Sequence, residues 1–184
     1  MLDATIEALM ELGYAKTTTL EVQRRAGLSR GALLHHFPSR AELMADAVRY
    51  LAVLRGKEMR ALAVRLNDGA DRIDAGVDLL WESFTGPLFT VALELRGAAR
   101  TDPELREVLV DVERELRNNI VAQCRELFGE SLASKPGYES AIDMSLQLMI
   151  GAAMSSILHR EPERARSMLQ TWKALFPQLL EKGI

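Results

Sequence analysis

The sequence predicts an all-α protein in which a small N-terminal helix-turn-helix domain precedes a larger helical domain. Apolar residues recur at helical spacing, whereas the strict alternation typical of strands is scarce. Capping residues, glycines and prolines divide the chain into segments of helical length. Two short segments separated by Gly-Leu-Ser stand near the N-terminus, which is typical of the helix-turn-helix. We expect residues 1–45 to form this domain and residues 46–184 the larger one.

The first helix is predicted over residues 2–12, and Gly13 ends it as glycines commonly do just beyond a last turn. A second helix begins after Thr18. Thr18 and Glu21 have the spacing of a capping box, in which each side chain binds a free backbone amide of the other residue. This helix ends near Gly27, which we expect in the left-handed conformation at the turn because a side chain would clash there.

A third helix is predicted to begin after Ser29 and to end before Pro38, which cannot continue a helix. Ser39 and Glu42 form another capping box. They open a long fourth helix over about residues 40–65.

The rest of the chain shows the same periodicity and brings the predicted total to eight or nine helices. Asp102 is the expected N-cap of the longest helix, and His159 is expected to be a cap or a surface residue near a helix end. The remaining predicted helices cover residues 71–84, 86–99, 102–129, 139–159 and 162–183, with a loop at 131–138.

Charge is distributed unevenly along the chain. The 184 residues carry a formal net charge of −3, but residues 13–40 contain five cations and one anion, so that this segment is positive and the rest strongly negative. Such asymmetry indicates an anionic partner at one end.

Several classes of protein are disfavoured by composition. Cys124 is the only cysteine, which excludes a disulfide framework and a cysteine-based zinc site within one chain. No apolar run approaches the length of a membrane span, and the first residues are amphipathic and acidic, unlike a signal peptide. We therefore expect a cytoplasmic protein without a membrane partner. Cys124 is expected to be an inert core residue rather than a redox sensor.

The two short helices predict a DNA-binding unit. Its second helix would enter the major groove by its N-terminal end, where small residues let the backbone approach the bases. Arg30 is the one long donor at that end and suits a guanine edge or a phosphate. The predicted core of this unit consists of Val22, Ala26, Leu28, Leu33 and Phe37.

His35 and His36 are adjacent, which argues against a metal site. Neighbouring helical residues point about 100° apart, so the two imidazoles cannot easily bind one ion. No nucleophile–base pair, phosphate-binding loop or zinc-protease motif accompanies them. We predict no catalytic residue, no metal and no cofactor. The two histidines either close the short helix or contact DNA.

Residues 13–43, GYAKTTTLEVQRRAGLSRGALLHHFPSRAEL, resemble the tetracycline-repressor (TetR) family of bacterial transcription regulators. The matching order is Gly-Tyr-x-x-Thr-Thr, then Ala-Gly-Leu-Ser-Arg-Gly-Ala-Leu, then His-Phe-Pro-Ser-Arg. The resemblance implies a helix-turn-helix domain followed by a helical domain for ligand binding and dimerisation. It implies double-stranded operator DNA, a small-molecule effector and a second copy of the chain as partners.

The resemblance also implies roles for individual residues. Thr18 would cap its helix and touch a phosphate, and His35 and Arg40 would hold phosphates. Two positions depart from the family pattern: Leu34 stands where tyrosine is usual, and Gln23 stands where alanine is usual. The predicted DNA-binding set is Thr18, Ser29, Arg30, Gly31, Ala32, Leu34, His35 and Arg40.

Aromatic and methionine side chains of the larger domain suggest a cavity, although the same residues would equally make a solid core. A few polar side chains would orient a mostly apolar effector. The predicted ligand-binding set is Trp81, Phe84, Phe89, Glu94, Asn118, Met144 and Gln147.

A stripe of small residues in the segment 139–159 would let another helix come close, and the last helix adds large apolar residues. We predict a two-fold dimer made by the last two helices of each copy; a thick monomeric core is the alternative. The predicted interface consists of Ala141, Leu148, Ala152, Ser155, Trp172 and Phe176.

Taken together, the residues and the resemblance predict a ligand-responsive transcriptional regulator, specifically a repressor. It would bind a pseudo-palindromic operator as a dimer and leave it when an apolar effector binds. Two alternatives remain open: a dimeric interaction module with weakened DNA binding and, least favoured, an enzyme on a helical scaffold.

Overall fold

Helices are the only regular secondary structure in the computed structural model, which describes residues 1–66, 70–158 and 162–182. The predicted all-α class is confirmed. His159 lies outside the described residues. The ten helices within these ranges are α1 (Leu2–Lys16), α2 (Thr19–Ala26), α3 (Arg30–His36), α4 (Arg40–Ala63), α5 (Ala70–Ser83), α6 (Pro87–Ala98), α7 (Pro103–Phe128), α8 (Glu130–Ala133), α9 (Tyr138–Ser156) and α10 (Pro162–Lys182).

The chain forms two compact units. The first comprises Met1–Arg55 and Gly86–Asn118, and the second comprises Gly56–Thr85 and Asn119–Ile184. The divisions fall inside α4 and α7, so the helix-turn-helix shares its unit with α6 and the first part of α7. The boundary after residue 45, between a DNA-binding domain and a domain for ligand binding and dimerisation, stays a prediction. None of the described helices is both long and apolar enough to cross a membrane.

Side-chain caps explain where four of the described helices begin. Thr18, Ser29, Ser39 and Asp102 each accept a hydrogen bond from the backbone N–H three residues further on, at 3.0–3.2 Å. Each cap satisfies an amide that has no partner inside its helix. The predicted starts of α2, α3, α4 and α7 therefore agree with the structure.

Two predicted boundaries need correction. Gly13, with φ 72° and ψ 173°, breaks the helix where predicted, but a further helical turn follows it, so that α1 extends to Lys16. The predicted loop at residues 131–138 begins inside a short helix, α8, which follows Gly129 at φ 81°. In both places glycine turns the backbone and the next residues re-enter helical geometry, which the spacing of apolar residues does not show.

The core of the first unit is built from α1, α2, α3, α4, α6 and α7. Val22, Leu33 and Phe37 are buried there as predicted, whereas Ala26 and Leu28 are half-buried. Large members of this core with no exposed surface include Leu33, Leu43, Met44, Leu95 and Leu105. This core fixes the positions of α2 and α3.

The second unit has an aromatic core. Phe128 stacks on Phe176 with ring centroids 5.0 Å apart, and Trp172 meets Phe176 edge-on at 6.2 Å. The indole Nε1 of Trp172 donates to Ser145 Oγ at 2.8 Å, and this hydroxyl donates to the carbonyl of Ala141. A buried indole N–H requires such a partner, which turns Trp172 toward its own chain.

The predicted dimer interface is therefore partly wrong. Ala141, Trp172 and Phe176 are buried inside this core and do not reach the surface. Leu148 and Ala152 are half-buried and Ser155 is exposed. A helix with apolar residues on two faces does not reveal from its sequence which face points inward.

The members of the predicted ligand-binding set are divided between the two units and differ in burial. Phe84 is buried, whereas Trp81 and Phe89 are half-buried. The members that the structure leaves on the outside are Glu94, Asn118, Met144 and Gln147. The side chain of Met144, for example, is 48% exposed, which does not fit a residue enclosed in a cavity of its own subunit.

Candidate nucleic-acid interface

The turn between α2 and α3 depends on Gly27. This residue has φ 65° and ψ 32°, the left-handed conformation, and its N–H donates to the carbonyl of Gln23. The N–H of Leu28 donates to the same carbonyl at 3.1 Å. A left-handed residue that closes a helix in this way is usually glycine because a Cβ is strained there.

The outward side of α3 carries most of the predicted base and backbone contacts. Arg30 and Gly31 are exposed at its first turn, and Leu34 and His35 follow one turn later on the same side. Leu33, on the opposite side, is buried in the core. Ala32 is half-buried, and Ser29 supplies the cap. The structure thus brings together the α3 members of the predicted set.

Arg30 is available for a partner. Within the part of the chain that the structure describes, its guanidinium makes no hydrogen bond or ion pair. His35 and His36 stand edge-to-face with ring centroids 5.3 Å apart, and both are exposed. The Arg30 and His35 side chains therefore present a guanidinium and an imidazole to solvent from the same side of α3.

The cations of α2, by contrast, are bound within the protein. Glu21 accepts from Arg24 at 2.8 and 3.0 Å and from Arg25 at 2.7 Å. Arg25 also forms an ion pair with Glu11 of α1 at 2.8 Å. The two arginines lower the pKa of Glu21 to about 2. The predicted capping box is thus only half formed, because the carboxylate of Glu21 binds arginines rather than the N–H of Thr18.

Arg40 is also bound within the protein. Its Nε donates to the carbonyl of Thr17 at 2.9 Å, and its Nη2 donates to the carbonyl of Tyr14. Its guanidinium carbon lies 3.8 Å from the centroid of the Tyr14 ring. Arg40 therefore faces the end of α1 in this structure, and the predicted phosphate contact does not describe its position here.

Lys16 is a candidate that the sequence prediction missed. It is exposed at the end of α1, two residues before the cap of α2, and has no ion pair among the described residues. It lines a shallow groove of about 610 Å³ together with Thr18 and Leu20. Among the five cations of residues 13–40, only Lys16 and Arg30 lack a protein partner in the described ranges. The signal was a cation next to the N-cap, where helix amides attract anions.

Comparison with known proteins identifies the family. Residues 1–47 match the family described as bacterial regulatory proteins, tetR family. The HTH-type transcriptional regulator CymR of Pseudomonas putida is 30% identical over 168 residues, which cover 89% of this chain and 81% of CymR. The chain belongs to the TetR family. Like its relatives, this TetR-family chain is a transcriptional regulator and not an enzyme.

Known structures of the TetR fold extend the likeness to nearly the whole chain. A transcriptional regulator from Saccharomonospora viridis, in complex with choline, is 17% identical with a TM-score of 0.67 and covers 96% of this chain and 93% of that one. FadR of Bacillus subtilis, in complex with stearoyl-CoA, is 16% identical with a TM-score of 0.66 and covers 100% of this chain and 97% of that one. These identities establish the fold alone.

Proposed function

We propose that this TetR-family protein is a repressor that binds a pseudo-palindromic operator as a homodimer and is released by a small effector. The observation that carries the proposal is the outward side of α3, where Arg30 is exposed beside Gly31 and has no partner among the described residues. A helix that presents a long donor next to a residue without a side chain suits close approach to base edges in the major groove.

Contacts to the DNA backbone would flank the recognition helix. Lys16 lies at the end of α1, the exposed Thr18 caps α2, and His35 lies near the end of α3. Phosphate contacts of this kind fix the register of a protein on DNA, and base contacts supply the specificity. We assign Arg30 to a base edge and Lys16 to a phosphate. A DNA-binding regulator of this kind would act in the bacterial cytoplasm.

A second copy of the chain would cover the outer face of α9 and α10. Met144 is 48% exposed and Leu175 is 43% exposed, and Leu148 and Ser155 continue the face along α9. Exposed apolar side chains beside small ones allow close helix packing, which supports dimerisation. A two-fold dimer would place two recognition helices about one turn of DNA apart, roughly 34 Å.

The effector would bind in the larger helical part of the chain, where Phe84 supplies buried aromatic surface. Choline and stearoyl-CoA, bound by two structural neighbours, share little chemistry, so the fold does not specify the ligand. We propose a mostly apolar molecule, as the sequence predicts. It can release the operator only if it binds the DNA-free conformation more tightly than the DNA-bound one.

Selection of binding sites from random duplexes, followed by titration at several salt concentrations, tests the proposal. Arg30→Ala should cost about 1–3 kcal/mol at one base pair of the selected site. Lys16→Ala should weaken binding to all sequences alike and flatten the logarithmic salt dependence by about one unit.

Arg114→Ala is the matched control, because Arg114 is an exposed arginine of α7 that pairs with Asp111. It should bind like the unmodified protein. If the unmodified protein selects no sequence and shows no salt dependence, the alternative gains support. That alternative is a protein-interaction module, favoured by the exposed side chains of Leu20 (72%) and Leu34 (46%) on the helix-turn-helix surface.

A further inference from the structure

Tyr14 lies where the backbone of α1 breaks and contacts three other helices of the first unit. Because Gly13 has φ 72°, the N–H of Tyr14 leaves the helix and donates to Glu94 Oε1 of α6 at 2.7 Å. The Tyr14 hydroxyl donates to Asp102 Oδ2, at the cap of α7, at 2.6 Å. Arg40, the first residue of α4, covers its ring. One side chain and its backbone thus join α1 to α4, α6 and α7.

Arg40 links the two ends of the helix-turn-helix through its contacts with Tyr14 and Thr17. Thr17, whose carbonyl accepts from Arg40, is fully buried and immediately precedes the cap of α2. Arg40 itself follows the Phe37–Ser39 turn that leaves α3. The guanidinium therefore connects the chain just before α2 with the chain just after α3. Movement at either end would break these hydrogen bonds.

We propose that Arg40 is a positioning residue, which fixes the orientation of the helix-turn-helix through Tyr14 and Thr17 rather than by touching a phosphate. Glu94 and Asp102 accept hydrogen bonds from Tyr14 and so hold it in the position in which Arg40 contacts it. The inference rests on the proposed DNA binding, because it concerns how that surface is held. It reverses the role that the sequence resemblance implies for Arg40.

The chemistry of arginine distinguishes the two roles. A planar guanidinium can donate to two carbonyls and stack on a ring at the same time. Lysine keeps the positive charge but has a single ammonium group, which cannot reproduce this geometry. A phosphate contact tolerates lysine far better, because attraction to a phosphate depends mainly on charge.

The first test compares Arg40→Lys, Arg40→Gln, Tyr14→Phe and the double variant Tyr14→Phe/Arg40→Gln on the selected duplex at several salt concentrations. Positioning predicts that both Arg40 variants bind about tenfold or more weakly, with the salt slope of the unmodified protein. The loss of binding free energy in the double variant should be smaller than the sum of the losses in the two single variants, because the two residues act together. Lys16→Ala, with its flattened slope, is the positive control.

A phosphate role predicts the opposite pattern. Arg40→Lys would then bind almost normally, while Arg40→Gln would flatten the salt slope by about one unit and add to Tyr14→Phe. That result would overturn the proposal. Circular dichroism confirms beforehand that each variant is folded.

A second test needs no DNA. Amide hydrogen exchange should become at least several-fold faster at residues 17–22 in both Arg40 variants, because their anchor is lost. Unchanged exchange there would overturn positioning even if DNA binding fails for other reasons. Failure of the proposed function has a different signature, because the unmodified protein itself would then bind no duplex.

Discussion

The hydroxyl of Tyr138 is buried in the aromatic core of the second unit and has no hydrogen-bond partner among the described residues. Its ring meets Phe128 edge-on, with centroids 6.5 Å apart. Burial raises its pKa well above the ordinary value. A buried hydroxyl that has exchanged water for apolar neighbours lowers stability unless it regains a hydrogen bond.

Tyr138→Phe should therefore leave the free energy of unfolding unchanged or raise it, by up to about 1–3 kcal/mol, as measured by urea denaturation. Tyr14→Phe is the control, because its hydroxyl is paired with Asp102 and its loss should destabilise the protein. If Tyr138→Phe destabilised the protein by more than about 1 kcal/mol, the hydroxyl would have a partner such as an internal water.

Cys124 shows the same effect of burial on a thiol. Its side chain has no exposed surface, and desolvation raises its pKa to about 12. Since the thiolate is the reactive form, these observations agree with the sequence expectation of an inert core residue.

At the scale of the elements, glycines decide where helices break and turn. Gly27 closes α2 at φ 65°, and a Cβ built there would meet no atom within 4 Å. Any penalty for a side chain at this position therefore comes from the backbone and not from packing. Gly97 offers a comparison, since it lies within α6 with equally open space around it and no positive φ.

The pair Gly27→Ala and Gly97→Ala separates the two effects. Gly27→Ala should destabilise the protein by about 1–2 kcal/mol, because alanine is strained in the left-handed region. Gly97→Ala should stabilise it by up to about 1 kcal/mol, because glycine is costly inside a helix. Thermal and urea unfolding measure both. Equal effects of the same sign would show that the turn can relax around a side chain.

At the scale of the whole molecule, the proposed dimer would use the outer face of α9 and α10. Exposed apolar residues also occur elsewhere, such as Val110 on α7 at 51% exposure. Isolated residues of this kind are normal on protein surfaces. The outer face of α9 differs because Met144 recurs there at helical spacing with Leu148 and with the small, exposed residues Gly151 and Ser155.

Met144→Glu should convert the dimer into monomers, because a charge would be buried at the interface without a partner. Val110→Glu, an equally exposed change in the first unit, should leave the dimer intact. Sedimentation velocity at micromolar concentration distinguishes these outcomes. An unmodified chain that sediments as a monomer would contradict the dimer, as would a Met144→Glu variant that still dimerises.

Local chemistry accounts for what could be predicted from the sequence. The caps at Thr18, Ser29, Ser39 and Asp102 bind amides only three residues away, so their effect can be read from short spacings. The conformation of Gly27 is a property of one residue and its turn. These features predicted the starts of four helices and the helix-turn-helix, and the helical spacing of apolar residues predicted the all-α class.

Tertiary structure decided what depends on distant partners. Arg40 was predicted to contact a phosphate, yet its carbonyl partners lie 23 and 26 residues earlier in the chain. Trp172 was predicted to lie in the dimer interface, but Ser145, 27 residues away, binds its indole and turns it inward. Helical spacing shows which residues share a face, and only packing determines what that face meets, because a long side chain takes whichever hydrogen-bond partner the fold brings within reach.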